Sequence, residues 1–362
     1  MASNETKEGV PTSRSQEIIM AYLSERIVEY RELTTLRRQG WQDPGANDHF
    51  ENERQHADHP DETTKTIFYK MTLQIGKGLD AATGILSSPS TSSGNLAILD
   101  LCMAPGGFTT TALNHPSNRH VRGISLPVEM GGYEVRIPNW ERDNRISIKF
   151  LDITMLAAEM GVDIETEIPA THPDAGRFSP ERPFEDEEFD VIFCGGAVVR
   201  NHKFAEYRQG HEKIRLETSQ LVLALQRIRK GATLVLVLHR ADASRSVDVI
   251  HRFSGFAKIQ LFKPPRAHAR KSSFYMVARN VQPQKTEAKQ AIEDWKRQWR
   301  DATLTTEPRQ HPYQLFDPSP EHTELVLREF GETLVQLSRP IFRIQANALH
   351  KAPWNTNKST SS

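Results

Sequence analysis

The stretch from residue 96 to residue 113 constrains this chain more than any other. Leu96-Ala-Ile-Leu-Asp-Leu101 is an apolar run of strand length with Asp100 near its end. Cys102-Met-Ala-Pro-Gly-Gly then turns directly into a helix predicted from Phe108 to Leu113. A buried strand that passes through a glycine turn into a helix is the opening unit of an open α/β sheet. Ligands in such sheets bind beyond the carboxyl ends of the strands. Gly106 and Gly107 carry no side chain to obstruct a close approach of the backbone to a ligand. Pro105 stiffens the turn, and Asp100 is placed to accept a ligand's ammonium or to order the turn's amides.

The same alternation continues downstream. Strands are predicted at 121–126, 147–150, 189–194, 233–238, 258–262 and 274–278, with periodic helices at 216–228 and 247–253. The last two strands read as an antiparallel pair. The expected fold class is therefore α/β: a Rossmann-like, parallel-dominated sheet with helices on both faces and helical extensions at each end. Upstream, 15–39 and 66–82 read as amphipathic helices, 41–64 as a polar loop and 87–94 as a Ser/Pro/Thr/Gly linker. Downstream, 285–302 reads as a charged helix whose Trp295 and Trp299, at i and i+4, pack on the main domain. A proline-broken loop follows at 308–320, then a helix at 321–337 that continues to about residue 350. The predicted organisation is an N-terminal helix and polar loop (1–63), a central domain (64–281), a C-terminal helical extension (282–354) and a disordered tail (355–362).

Composition narrows the setting. The hydrophobic fraction is 37% over 362 residues, and the apolar runs fall far short of the roughly 20 residues of a membrane helix. The first residues lack the basic-then-apolar pattern of a secretory signal. Two cysteines, Cys102 and Cys194, both in apolar segments, exclude a disulfide framework and imply a reducing, cytoplasmic or nuclear, compartment. Net charge is zero, but its distribution is uneven. No acidic residue occurs in 249–286, a segment that carries Arg252, Lys258, Lys263, Arg266, Arg270, Lys271, Arg279 and Lys285, whereas 159–190 is rich in carboxylates. The basic segment is either a phosphate-attracting surface for RNA or a solvated face balanced by the acidic loop. A loose His56, Asp58, His59, Asp61 cluster lacks the spacing of a metal site, and no metal is expected.

The string Asp-Leu-x-x-Ala-Pro-Gly-Gly-Phe at 100–108 resembles the first motif of the FtsJ-like family of S-adenosylmethionine-dependent methyltransferases, best known for 2′-O-methylation of RNA ribose. The likeness runs over about 64–281. It implies that S-adenosyl-L-methionine is cradled by Asp100, Met103, Ala104, Pro105, Gly106, Gly107 and Phe108. Ser125 stands where the family usually offers an acid to the ribose hydroxyls. Asp152 stands where the family's aspartate meets the adenine amino group, and it also suits a helix N-cap.

Family members acting on ribose use a Lys-Asp-Lys-Glu tetrad. Carried onto this chain, the first lysine falls on Lys70, but the other three positions hold Gly195, Val237 and Ser273. His239 and Arg240 follow Val237 near the strand end. Of these, only His239 is able to take a proton near neutrality. The catalytic candidates are thus Lys70, His239 and Arg240. The resemblance implies a methyltransferase acting on RNA. A small-molecule hydroxyl as acceptor, or a catalytically degenerate cofactor- or RNA-binding module, are the alternatives the missing tetrad leaves open.

Overall fold

Strand β1 (Leu96–Leu101) is buried along its whole length, which requires neighbours on both edges and both faces. The computed structural model supplies them; it describes residues 12–43, 46, 61–87, 96–116, 119–198, 201–305 and 316–356. His56, Asp58 and His59 of the polar cluster and residues 308–315 of the proline-broken loop lie outside these residues, as do most of the 41–64 loop and the 87–94 linker, and the end of the tail.

Along the chain, β1 is followed by α4 (Gly107–Leu113), β2 (Arg119–Ser125), β3 (Ile146–Phe150) and β4 (Phe189–Cys194). Then come α5 (Glu212–Arg227), β5 (Ile228–His239), α6 (Ser244–Ser254), β6 (Lys258–Phe262) and β7 (Ser273–Arg279). The seven strands lie in the order β3-β2-β1-β4-β5-β7-β6. Every pairing is parallel except those made by β7, which runs antiparallel to β5 and β6. The fold is the α/β sheet the alternation predicts. Its strand order reverses between β1 and β4, so the ligand crevice belongs at the carboxyl ends of these strands.

Side-chain alternation sorts the two faces. Ile98, Val121, Val191, Phe193, Val235 and Val277 face one side, against Ile75 and Leu79 of α3 (Glu62–Thr83). Ala97, Leu99, Leu101, Ile192, Leu234 and Leu236 face the other side, where α5 and α6 pack together with both extensions. Helix α3 starts where the Asp61 side chain accepts from Thr64 N and stops at Gly84, at φ 62°.

Three differences from the predicted elements are the largest. The N-terminal helix is two, α1 (Arg14–Arg26) and α2 (Val28–Trp41), because Ile27 takes an extended conformation (φ −124°, ψ 110°) and buries its side chain. Strand β5 begins at Ile228 rather than residue 233. Its pairing with β4 shifts register between Phe189 and Val191, beside Gly231 at φ 85°. The C-terminal part forms α7 (Thr286–Leu304) and one long α8 (Pro320–His350), which continues through Pro340.

The extensions pack as one layer. Tyr30 of α2 meets Phe342 of α8 at 4.8 Å between ring centroids. Trp295 stacks on Phe253, and Trp299 is fully buried and donates from Nε1 to Thr154 O at 3.0 Å. Both tryptophans therefore pack on the central domain.

Candidate functional site

A cleft of about 670 Å³, open mouth included, lies at the reversal point. Four strand ends build its floor: Cys102 and Ala104 after β1, Ser125 at the end of β2, Asp152 after β3, and Gly195 and Gly196 after β4. Ile124, Leu126, Leu151 and Ile153 make one apolar flank. Phe68 of α3 and Tyr133, 5.0 Å apart between centroids, line the cleft as well. Burial pushes the Cys102 thiol up to about 12, so it is a neutral wall and not a nucleophile.

Of the residues predicted to hold a cofactor, Ala104, Ser125 and Asp152 line this cleft. The rest of the turn stands behind it. Asp100 is buried and accepts from Thr109 Oγ1 at 2.6 Å, so it ties β1 to the start of α4. Met103 packs its sulfur against Gly123 of β2. Phe108 stacks on Phe193 at 5.2 Å. Pro105 O accepts from Arg136 N at 3.0 Å.

The glycines serve the same packing. A Cβ on Gly106, at φ 100°, would lie 2.5 Å from the Ile137 side chain. One on Gly107 would lie 2.2 Å from Thr72 Oγ1 and 2.4 Å from Leu73 N of α3. The absent side chains admit neighbouring parts of the chain itself.

The polar end of the cleft is a buried ionic network. Asp152 Oδ1 accepts from Thr154 N at 3.0 Å and Thr154 Oγ1 at 2.7 Å, so it caps the turn that begins at Ile153. Its Oδ2 accepts from Arg208 Nη2 at 3.1 Å. Arg208, fully buried, also donates to both oxygens of Glu212, at 2.7 and 2.5 Å. Burial alone would raise the Asp152 carboxyl. His202, Arg208 and Thr154 together hold it well below the ordinary carboxylate range. Asp152, His202 and Glu212 are close enough to enclose a metal ion, but Arg208 already bridges the two carboxylates with its own charge. A divalent ion would sit against that guanidinium, so the trio does not fit a metal.

Among the described residues, the other end of the cleft carries no base. Gly195 lines it, and a Cβ there would meet nothing closer than Phe108 at 3.7 Å. The structure does not bring Lys70, His239 or Arg240 into the lining. Lys70 is exposed on α3, where Phe68 faces the cleft instead. His239 ends β5, and burial, with Lys213, His268 and Lys263 nearby, depresses its imidazole to about 4. Arg240, at φ 55°, donates to Asp242 Oδ2 at 2.8 Å. Val237 packs with the core on the α3 side, and Ser273 is buried where β7 starts.

Sequence reading missed Arg208, Glu212, His202 and Tyr133. Arg208 and Glu212 are spaced i, i+4, but the helix was expected to begin only at 216. The aromatic pair Phe68–Tyr133 joins segments far apart in sequence and left no local signal.

The profile of the FtsJ-like methyltransferases matches residues 77–281, more than half of the chain. The chain belongs to the FtsJ-like methyltransferase family. A search of the curated proteins found no match. Among solved structures, it is similar to human methyltransferase-like protein 13 in complex with SAH (12% identity, TM-score 0.33), covering 69% of this chain and 95% of that one. It is likewise similar to a putative S-adenosyl-L-methionine-dependent methyltransferase from Methanococcus maripaludis (13%, TM-score 0.34), covering 64% and 95%. A third, the 1,6-didemethyltoxoflavin-N1-methyltransferase from Burkholderia thailandensis (13%, TM-score 0.32), covers 57% and 76%. The matched segment thus holds β1 to β7 and only the C-terminal third of α3.

Proposed function

We propose that the cleft binds S-adenosylmethionine and that the domain transfers its methyl group to RNA. The observation that carries this reading is the convergence of Ala104, Ser125, Asp152 and Gly195, from four strand ends, on one cleft at the topological switch point. A planar base would lie against the apolar flank of Ile124, Leu151 and Ile153, with the Asp152 carboxylate facing its exocyclic amine. Ser125 offers a hydroxyl towards the ribose. Gly195 leaves the opposite end open for the sulfonium and an incoming acceptor. When bound, the cofactor supplies an electrophilic methyl group.

Support for an RNA acceptor comes from the 263–272 loop. Because β7 is antiparallel, this loop sits at the same end of the sheet as the cleft. Lys263 is buried and donates to the carbonyls of His268, Lys271 and Ser273 at 3.2, 2.6 and 2.9 Å, which shapes the loop from inside. Arg266 and Arg270 are exposed on it, available to phosphates. Arg252 and Lys285, by contrast, are spent on Asp248, Asp294 and Gly255 O.

With no lysine among the described residues of the cleft lining, the chain's contribution to transfer is alignment of the two reactants rather than proton abstraction. Gly195, Val237 and Ser273 also favour a second reading, a cofactor-binding module that has lost transfer. Labelled methyl transfer from S-adenosylmethionine to total RNA separates the two. Label in alkali-resistant dinucleotides supports ribose methylation. Binding of the cofactor without label in RNA supports the module.

A further inference from the structure

The closed end of the cleft already contains an aromatic ring from the chain. His202 is nearly buried, its side chain only 6% exposed, and lies between the two carboxylates of the network. Its Nε2 is 3.3 Å from Asp152 Oδ2 and its Nδ1 is 3.5 Å from Glu212 Oε1. Yet Nε2 has no hydrogen-bond partner among the described residues. A buried ring nitrogen that approaches a carboxylate without a well-aligned bond is poorly satisfied where it stands. The ring and Asp152 both line the cleft.

Asp152 has little capacity to spare. Of its four lone-pair directions, Thr154 N, Thr154 Oγ1 and Arg208 Nη2 take three. The remaining one, on Oδ2, is the one His202 faces. A base whose amine pairs with Asp152 must therefore take the place of the imidazole. The backbone beside the ring is latched to a neighbouring segment. Lys203 N donates to Met130 O at 3.0 Å, and Arg177 Nη2 donates to Lys203 O at 3.3 Å. Gly131, at φ 89°, lets the two segments touch: a Cβ there would lie 1.9 Å from Asn201 O.

We propose that His202 is a built-in stand-in for the ligand's amino-bearing base, an autoinhibitory plug latched through Lys203 and Met130, which the cofactor must displace to bind. This rests on the cofactor reading above. The intrinsic affinity is then reduced by the fraction of molecules in which the plug is out.

The test is stopped-flow and calorimetric titration of the full chain with S-adenosylhomocysteine, comparing wild type with His202→Ala. Removal of the plug is expected to tighten binding about tenfold and to speed association. Affinity that is unchanged or weaker would overturn the proposal, since His202 would then be either irrelevant or a ligand contact. Should His202→Ala lose its fold by circular dichroism, Gly131→Ala, which wedges the two segments apart, carries the test, with tighter and faster binding expected and unchanged or weaker binding overturning it. No binding by either folded protein would overturn the cofactor reading itself, and the plug with it.

Discussion

Replacing Asp100 by Asn changes one buried group and leaves its shape. The carboxyl is 1% exposed and accepts from Thr109 Oγ1 at 2.6 Å. Burial pushes it up to about 7, against the opposing pull of the Thr109 hydrogen bonds. An unfolded aspartate titrates near 3.9, so between about pH 4 and 7 the native state holds a proton that the unfolded state releases. The contribution is fully present below about pH 4 and falls by up to about 1.4 kcal/mol per pH unit. It is lost as pH rises through 7. Asparagine stays neutral and its carbonyl still accepts from Thr109. Between pH 5 and pH 8 the variant should therefore gain about 3 kcal/mol relative to wild type. Urea unfolding of both proteins at fixed ionic strength measures this. Parallel stability profiles would refute the reasoning, because Asp100 would then be ionised in the native turn.

Three further substitutions test other parts of the site. Gly107→Ala places a methyl 2.2 Å from Thr72 Oγ1 and 2.4 Å from Leu73 N, and should cost about 1–3 kcal/mol as overpacking; an unchanged melting temperature would show that α3 and α4 separate freely. Trp299→Phe removes the donor to Thr154 O at 3.0 Å. Arg215 Nη2 still donates to that carbonyl at 3.0 Å, so the loss of one of its two hydrogen bonds should cost about 1 kcal/mol; a melting temperature equal to wild type would detach the C-terminal extension from the base end of the cleft. Gly195→Asp meets only Phe108, at 3.7 Å, so it should fold normally. It should raise preference for the charged S-adenosylmethionine over neutral S-adenosylhomocysteine by about tenfold. A ratio that does not move would mean that Gly195 does not face the sulfonium.

Most of the sheet was legible from local pattern. β1, β4 and β6 match their predicted bounds because each is a short apolar run with clear punctuation on both sides. β5 was underestimated because Arg229, Lys230 and Gly231 interrupt its apolar run, while pairing with β4 still extends the strand across them. The break at Ile27 was invisible, since an extended isoleucine within a helical period is imposed by packing and leaves no trace in spacing.

The site was legible in part. The 100–108 string identified the family, and Asp152 and Ser125 were placed by counting strand ends. What the motif could not show was which of its atoms face the cleft. Gly106 and Gly107 turned out to be filled by Ile137, Thr72 and Leu73. Arg208 and His202, which decide how Asp152 is held, come from the region between β4 and α5, which has no periodicity to read. Gly195 was found by position, and its place in the lining is the clearest structural consequence of the missing tetrad.

The central claim is that Asp152 closes a cleft built for S-adenosylmethionine. Calorimetric titration of wild type and Asp152→Asn with S-adenosylhomocysteine, repeated with an analogue lacking the base amine, tests it most directly. Saturable binding to wild type is expected, with at least about tenfold weaker binding to the variant and little difference between the two proteins for the amine-free analogue. Absence of heat with folded wild type, or equal affinity of both proteins for the adenine ligand, would contradict it.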